Sequence, residues 1–137
     1  MDLLRLAVPS VDRIRQYIKD SSLFAAIYEG KTVGALVLSN LDDSTMEIVN
    51  VAVQEEFQGK GIGKQLILNA IEYCRSINAR RVVIGTGNSS LMQLGLYQKC
   101  GFRMYEIWED HFIRHYEEEI YENGIRCRDM IRLKLEL

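Results

Sequence analysis

The sequence predicts a mixed α/β domain in which helices flank a mostly antiparallel β-sheet. Two strand-like runs, Leu23–Glu29 and Lys31–Ser39, meet at Gly30 as a hairpin, and a third follows at Thr45–Val53. Further along the chain, apolar residues recur at helical spacing on both sides of the short apolar run Val82–Ile84. Antiparallel strands followed by a strand–helix–strand crossover are typical of a mixed sheet with helices on its faces.

Composition limits what the protein can do. The chain has 137 residues, of which 47% are hydrophobic, and a net charge of −2. These values suit one hydrophobic core and exclude a disordered chain, so we expect a single domain over residues 1–137. The near-neutral charge argues against a nucleic-acid partner, because phosphate binding needs a strongly basic face. The longest apolar run, Val33–Leu38, is far shorter than the roughly 20 residues that span a bilayer, so no membrane partner is expected.

The cysteines indicate free thiols. Cys74, Cys100 and Cys127 are odd in number and widely spaced, which suggests neither a disulfide framework nor a CxxC metal site. Buried free thiols are typical of a reducing cytoplasm. The chain also starts Met1-Asp2, with an acid where a secretory signal carries bases. We therefore expect a cytoplasmic protein without a bound metal.

The remaining elements follow from local signals. Ser10 is the expected N-cap of a helix over Val11–Lys19. An apolar stripe at helical spacing predicts a long helix and consists of Ile62, Leu66, Ile67, Ala70, Ile71, Cys74 and Ile77. We further expect a strand over Arg81–Gly85 and a helix over Asn88–Cys100, which Asn88 or Ser89 would cap and Gly101 would end. Strands are expected over Phe102–Trp108 and Cys127–Leu137. Between these two strands we expect a helical turn over His111–Tyr116 and a hairpin turn at Asn123-Gly124.

A glycine-rich segment, Gln58–Lys64, joins the third strand to the long helix. The first turn of a helix has N–H groups without intrahelical partners and carries the positive end of the dipole, and glycine lets a ligand approach the backbone closely. Together with Lys60 and Lys64, this favours a phosphate or pyrophosphate site over a solvated surface turn. The segment is not a Walker A loop, because positions 58 and 65 are Gln, and it is not a GxGxxG fingerprint, because position 64 is Lys.

Gln58, Gly61 and Gly63 of this segment fill the pattern Gln/Arg-x-x-Gly-x-Gly/Ala, after a strand that ends Val-Ala-Val. Further along, Asn88 stands at a helix start and is followed by the run Leu96–Phe102, which fits the pattern Leu-Tyr-x-Lys-x-Gly-Phe. Both motifs resemble those of the GCN5-related N-acetyltransferases, the GNAT family. The two motifs occur in the family's order, on the expected elements.

The resemblance covers about residues 23 to 108, and the stretch from Asp110 to Leu137 is similar to the tail of a subgroup of small bacterial acetyltransferases. It implies the GNAT fold, a mixed and mostly antiparallel sheet flanked by helices. That fold usually begins with an additional strand, which we expect to be missing from a chain that starts Met1-Asp2-Leu3. The sheet edge exposed in this way would allow a homodimer.

The same resemblance implies transfer of an acetyl group from acetyl-coenzyme A to a primary amine of a small molecule or peptide by direct attack. Backbone amides would hold the pyrophosphate at Gln58, Gly59, Lys60, Gly61, Ile62, Gly63 and Lys64. Ala52 and Val53 would pair their backbone with the pantetheine arm, and Asn88 would donate a hydrogen bond to that arm. Tyr97 resembles the tyrosine that lies near the thioester sulfur, although its place on a helical stripe also suits a core aromatic residue.

A base is also needed, because an alkylammonium with a reference pKa of about 10.4 is almost wholly protonated at neutral pH. Glu47 occupies the position of the strand glutamate that serves as base in the histone-acetylating branch of the family. A solvated glutamate at a strand end is the alternative reading. His111 and His115 are further candidates, with suitable unperturbed pKa values.

Two other functions remain open from the sequence. The fold could hold an acyl-coenzyme A as a non-catalytic sensor or regulator. The acidic and aromatic tail from Trp108 to Tyr121 could instead serve a protein-interaction domain. Its acidic runs, Glu109-Asp110 and Glu117-Glu118-Glu119, could also favour a cationic acceptor, or could simply be solvated.

Overall fold

The structure, a computed structural model, describes the backbone of residues 10–15 and all of residues 21–137. Contacts divide the chain into two compact units, one reaching to Val82 and including Leu137, the other spanning Val83–Glu136. In the described part of the chain, no helix is long and apolar enough to cross a membrane. The single domain over residues 1–137 stays a prediction.

The first unit is built on four strands that are neighbours in chain order. They are β1 (Ser10–Arg15), β2 (Ser21–Tyr28), β3 (Lys31–Asn40) and β4 (Thr45–Val53). Each adjacent pair is antiparallel. The β2–β3 turn has positive φ at both central residues, 50° at Glu29 and 78° at Gly30, as a two-residue type I′ hairpin requires. The predicted hairpin and third strand are confirmed.

Helix α1 (Ile62–Ser76) covers this sheet, packing on β2, β3 and β4. It buries six of the seven residues of the predicted apolar stripe, which are Ile62, Leu66, Ile67, Ala70, Ile71 and Cys74. The seventh, Ile77, follows the helix as its C-cap and is 43% exposed, so its place in the stripe is wrong. Gly34 on β3 permits the close approach, because a Cβ there would lie 3.2 Å from side-chain atoms of both Ile62 and Leu66. The glycine therefore sets how tightly the helix sits on the strands that precede the glycine-rich segment.

The expected helix over Val11–Lys19 is wrong where the structure describes it. Ser10–Arg15 is a strand paired along β2, from Ser10 opposite Ile27 to Arg15 opposite Ser22. Residues 16–19 lie outside the described residues. The backbone N–H and C=O groups along the edge of β2 supply hydrogen-bond partners that local propensity does not reveal. The expectation that the first strand is missing is wrong as well, because β1 pairs with β2. The exposed edge that was the argument for a homodimer is therefore occupied by β1.

The second unit contains the remaining elements. They are most of β5 (Arg81–Gly87), then α2 (Leu91–Lys99), β6 (Arg103–Trp108), α3 (His111–His115), β7 (Tyr121–Glu122), β8 (Ile125–Arg126) and β9 (Met130–Glu136). Within it β9 lies between β5 and β6, and β6 pairs with β9 antiparallel. Positive φ at Asn123 and Gly124 confirms the predicted turn between β7 and β8.

Helix α2 begins three residues later than predicted. The hydroxyls of Ser89 and Ser90 donate to Glu122 Oε1 at 3.3 and 2.9 Å, and the helix has no side-chain cap. The helix ends at Lys99, one residue before its predicted end, with Cys100 as C-cap, and Gly101 follows with a φ of 106° as the predicted stop. The expected caps at Asn88 or Ser89 are wrong because the helix begins at Leu91, after Ser90 as N-cap, and no side chain caps it. The Asn88 Oδ1 accepts from the backbone N–H groups of Arg128 and Asp129 instead.

Two buried acidic groups predict a loss of stability at alkaline pH. Burial raises the pKa of the Cys74 thiol to about 11, and burial together with the nearby Cys100 thiol raises the pKa of Tyr97 to about 12. Unfolding returns both groups to ordinary values, near 9 and 10, so the unfolded chain loses these protons first as pH rises. The stabilisation is fully present below pH 9 and is lost as pH approaches 11–12, at up to about 3 kcal/mol for each group.

The measurement is urea unfolding between pH 8 and 11.5. We expect the free energy of unfolding to fall across this window, and to fall less steeply in Cys74→Ala, which removes one of the two groups. Parallel curves for Cys74→Ala and the unmodified protein would contradict the assignment to Cys74. The exposed control Ser76→Ala leaves the slope unchanged.

Candidate functional site

The predicted site residues are divided between the two units. Glu47, Ala52, Val53 and the segment Gln58–Lys64 belong to the first, on β4 and the start of α1. Asn88 and Tyr97 belong to the second. The first unit thus brings together the end of β4 and the glycine-rich segment, with only the short 3₁₀ turn Glu55–Phe57 between them.

The glycine-rich segment has the backbone that a close-fitting anion site requires. Gly59 and Gly61 lie in the left-handed region, with φ of 77° and 84°. A Cβ on either would meet no atom within 4 Å, so the space beside the loop is open. Gly61 precedes α1, whose start has no side-chain cap, and Lys60 and Lys64 are exposed. Uncapped N–H groups, the helix dipole and two cations favour an anion here.

Gln58 connects this loop to the end of β4 by hydrogen bonds. Its Nε2 donates to the Val53 carbonyl at 3.0 Å, and its backbone N–H donates to the Glu55 carbonyl at 3.2 Å. The Gln54 N–H adds a 2.8 Å bond to the Val33 carbonyl. The Gln58 side chain therefore fixes the loop relative to the strand end. Binding of a pyrophosphate by the backbone of 58–64, and of a pantetheine arm by Ala52 and Val53, stays a prediction.

A β-bulge interrupts β4 next to Glu47. Leu38 pairs with Ile48 and Val37 pairs with Asn50, so Val49 is an extra residue on β4 and is 58% exposed. Glu47 lies opposite Ser39 and is half-buried. A bulge bends the strand and changes the direction in which neighbouring side chains point. Glu47 itself keeps its regular pairing two residues before the bulge, and its half-buried side chain lies between the buried Met46 and Ile48 in the sequence.

Asn88 is engaged in a different way from the prediction. Its Oδ1 accepts from the backbone N–H groups of Arg128 and Asp129 at 2.8 and 3.0 Å, and its Nδ2 donates to the Arg126 carbonyl at 3.1 Å. Its own N–H donates to the Asp129 carbonyl at 2.9 Å. The Asn88 side chain therefore holds the segment between β8 and β9. Its contact with a cofactor stays a prediction.

Tyr97 is a buried side chain of α2, only 4% exposed, with its ring centroid 6.4 Å from that of Phe102. Burial raises its pKa to about 12. Giving its proton to a thiolate with a reference pKa near 8.5 would cost roughly 5 kcal/mol. The hydroxyl thus stays protonated throughout the neutral range, which suits a hydrogen-bond donor rather than a proton source.

Sequence reasoning missed the surroundings of the two histidines. The ring centroids of His111 and His115 lie 4.6 Å apart, and that of Trp108 lies 5.6 Å from His111. Partial burial, then His115, Arg132 and Arg114, lower the pKa of His111. Arg132 approaches from β9, 21 positions along the chain, so no local signal could have revealed it. Among the described residues, no group of three potential ligands could hold a metal ion.

Comparison with known proteins decides the family. The acetyltransferase (GNAT) family model matches residues 5–102. The chain belongs to the GNAT acetyltransferase family. It is 52% identical over 136 residues to YvbK, an uncharacterized N-acetyltransferase of Bacillus subtilis (strain 168), covering 99% of this chain and 88% of the relative.

Two solved structures agree in fold with this acetyltransferase. An IAA acetyltransferase from Bacillus cereus is 43% identical with a TM-score of 0.88, and a Bacillus subtilis acetyltransferase in complex with CoA is 41% identical with a TM-score of 0.89. Each comparison covers 94% of this chain and 99% of the other. They confirm the mixed α/β fold with a mostly antiparallel sheet flanked by helices.

The chain is therefore an acetyl-CoA-dependent N-acetyltransferase, a transferase and acyltransferase with bacterial homologues. Its own residues fit this cofactor, because the open, left-handed glycines before α1 and the exposed lysines on either side of the helix start, Lys60 and Lys64, suit a pyrophosphate. Acetyl-CoA supplies the acetyl group as an activated thioester. The acceptor amine is the partner that family membership leaves unnamed.

Proposed function

We propose that this acetyltransferase transfers the acetyl group to a primary amine of a small molecule or peptide by direct attack. The main support for the proposal is the loop Gly59–Lys64, because its uncapped helix start and its two lysines suit the pyrophosphate of the acetyl donor. In the balanced reaction, a bond forms between the amine nitrogen and the carbonyl carbon, and the carbon–sulfur bond breaks with its electron pair left on sulfur. One proton leaves the nitrogen, and one is taken up by the sulfur.

Glu47 is the proposed base. Removing a proton from an ammonium at neutral pH costs on the order of 4–5 kcal/mol, so a base within reach, directly or through one water, is expected. A half-buried carboxylate beside a bulge combines partial exposure to water with a fixed backbone. His111, whose pKa is lowered by its surroundings, is a weaker base than an ordinary histidine. His115 remains the other candidate.

Tyr97 is the proposed donor toward the negative charge that develops on sulfur. Because its pKa is about 12, the hydroxyl keeps its proton at working pH. A hydrogen bond to a charged group contributes about 1.5–3 kcal/mol, so we expect Tyr97→Phe to lower kcat about 10- to 100-fold with little change in the KM for acetyl-CoA. Steady-state kinetics with thiol detection measures both constants.

The matched control is Tyr105→Phe, which removes a hydroxyl from an exposed ring on β6. It should leave kcat unchanged. Thermal unfolding of both variants separates loss of the donor from loss of packing. Full activity in a folded Tyr97→Phe protein would leave Tyr97 as a core aromatic residue only.

The proposed function is tested by thiol release from acetyl-CoA with a panel of primary amines and with matched alcohols. Release above the rate without enzyme, only with amines and with the N-acetyl product seen by mass spectrometry, supports it. Tight CoA binding without release for any amine would overturn it. We also infer a cytoplasmic location, which the three free cysteines support.

A further inference from the structure

The short hairpin of β7 and β8 is bound to the start of α2 by side-chain hydrogen bonds. Glu122 Oε1 on β7 accepts from the Ser89 hydroxyl at 3.3 Å and from the Ser90 hydroxyl at 2.9 Å. In the hairpin turn, Asn123 Nδ2 donates to the Ser89 carbonyl at 2.8 Å. The hairpin is therefore joined to the two residues that precede the helix, across 32 to 34 positions of chain.

These contacts lie in a tightly packed part of the second unit. Ser89 is 0% exposed and Ser90 is 7% exposed. Beside them, a Cβ on Gly87 would lie 2.5 Å from Cys127 Sγ, so the chain after β8 packs closely against the chain before α2. A buried hydroxyl that loses its acceptor costs free energy, because water does not replace the lost partner. The Glu122 carboxylate therefore stabilises this arrangement of the two segments.

Helix α2 connects this arrangement to Tyr97. Ser90 is the N-cap residue of the helix, and its carbonyl accepts from the Leu94 N–H at 3.0 Å. The first turn of the helix thus starts from a residue that Glu122 binds. Tyr97 lies on the same helix, about two turns after Ser90. Because a helix is a rigid element, a displacement of its start also displaces the Tyr97 hydroxyl.

We propose that Glu122 is a positioning residue for acetyl transfer, which fixes the start of α2 and thereby the Tyr97 hydroxyl. This role rests on the proposed function, because Tyr97 is the proposed donor toward the sulfur of the thioester. Glu122 acts through its bonds to the two serines and touches neither the acetyl donor nor the amine. A misplacement of about 1 Å can lower a rate by about 100-fold, so a smaller displacement has a measurable effect.

The first test compares three variants by steady-state kinetics with thiol detection. Glu122→Ala removes the acceptor of both hydroxyls, and we expect it to lower kcat about tenfold with little change in the KM for acetyl-CoA. Glu122→Gln keeps an oxygen acceptor of the same shape, so it should recover most of the lost kcat. Glu119→Ala is the matched control, because Glu119 is exposed and pairs with Arg126 of the same hairpin at 3.2 Å. It should leave kcat unchanged.

A double-mutant cycle separates the positioning of Tyr97 from general damage to the fold. If Glu122 acts through Tyr97, Glu122→Ala should have almost no further effect on kcat in a Tyr97→Phe background, because no hydroxyl is left to position. In a Glu47→Gln background the tenfold loss should remain, since the proposed base belongs to the first unit. A loss of folded protein would instead lower kcat by the same factor in every background.

Hydrogen exchange followed by NMR needs no turnover. We expect Glu122→Ala to speed exchange of the Leu94 N–H about tenfold or more, and Glu119→Ala to leave it unchanged. If Glu122→Ala does not fold, Ser90→Ala replaces it, since the Ser90 side chain does not cap the helix.

Three results would overturn the positioning role. These are unchanged exchange at Leu94, unchanged kcat in Glu122→Ala, and an equal loss of kcat in the Tyr97→Phe background. If the unmodified enzyme acetylates an amine and Tyr97→Phe is impaired, any of these results removes only the role of Glu122. Absence of thiol release with every amine removes the proposed function, and the role of Glu122 with it.

Discussion

In a Gly61→Asp variant, we expect coenzyme A affinity to fall by about 100-fold or more while the fold is retained. A Cβ at Gly61 meets no atom within 4 Å, so the new side chain fits without a clash, but its φ of 84° strains any residue other than glycine. Aspartate and asparagine adopt this left-handed region more readily than other residues, so the strain is modest and equal in both variants. The helix dipole stabilises a carboxylate at the helix N-terminus, so the new charge does not weaken the helix itself. The same charge, a few ångströms from a pyrophosphate, costs about 3–4 kcal/mol at an effective dielectric constant near 20.

Calorimetric titration with coenzyme A measures this loss, and thermal unfolding measures the fold. Gly61→Asn is the matched control, since asparagine has the same shape as aspartate, tolerates a positive φ and carries no charge. We expect the asparagine variant to retain most of the affinity. If aspartate and asparagine weaken binding equally, the loop does not face the pyrophosphate. If neither variant weakens coenzyme A binding, the proposed cofactor site is wrong.

In a Glu47→Gln variant, we expect kcat/KM for the amine to fall at least about 100-fold at pH 7, with coenzyme A affinity unchanged. The loss arises because the amide cannot take the proton from the ammonium, and general bases typically contribute 10²–10⁴-fold. At pH values below 10.4, each increase of one pH unit raises the fraction of free amine in solution about tenfold, and the variant depends on this free amine. The ratio of unmodified enzyme to variant should therefore shrink between pH 6 and 9.

The pH profile is the readout that a purely structural role would not change. Glu72→Gln, at an exposed glutamate paired with Arg75 on α1, serves as the control and should keep full activity. A Glu47→Gln variant with a constant ratio across pH would point to lost positioning rather than a lost base. If it keeps full activity, the same profile measured for His115→Gln tests the remaining candidate.

Features set by neighbouring residues were predictable. Gly30, Asn123 and Gly124 lie in turns that their residue types demand, and the stripe from Ile62 to Cys74 faces a sheet as its spacing predicts. The open loop around Gly59 and Gly61 was predictable for the same reason, since positive φ is a property of glycine itself. These signals are confined to a few consecutive residues or one helical face.

Features that need a partner from elsewhere in the chain were not predictable. The Val11–Lys19 helix failed because β2 offers an edge to Ser10–Arg15. The expected cap at Asn88 failed because the N–H groups of Arg128 and Asp129, about 40 positions away, donate to its Oδ1. Both errors share one cause, since a backbone or side-chain amide group bonds with whatever the fold places nearby.

By itself, the sequence determined the helix-start loop, the order of most elements and the two motifs that point to acetyl transfer. Only the tertiary structure decided where Asn88 directs its amide, that a bulge at Val49 interrupts β4, and that Arg132 from β9 packs on Trp108. The physical reason is the range over which each signal acts. Backbone conformation and periodicity are properties of adjacent residues, whereas these contacts exist only once distant strands and helices lie side by side.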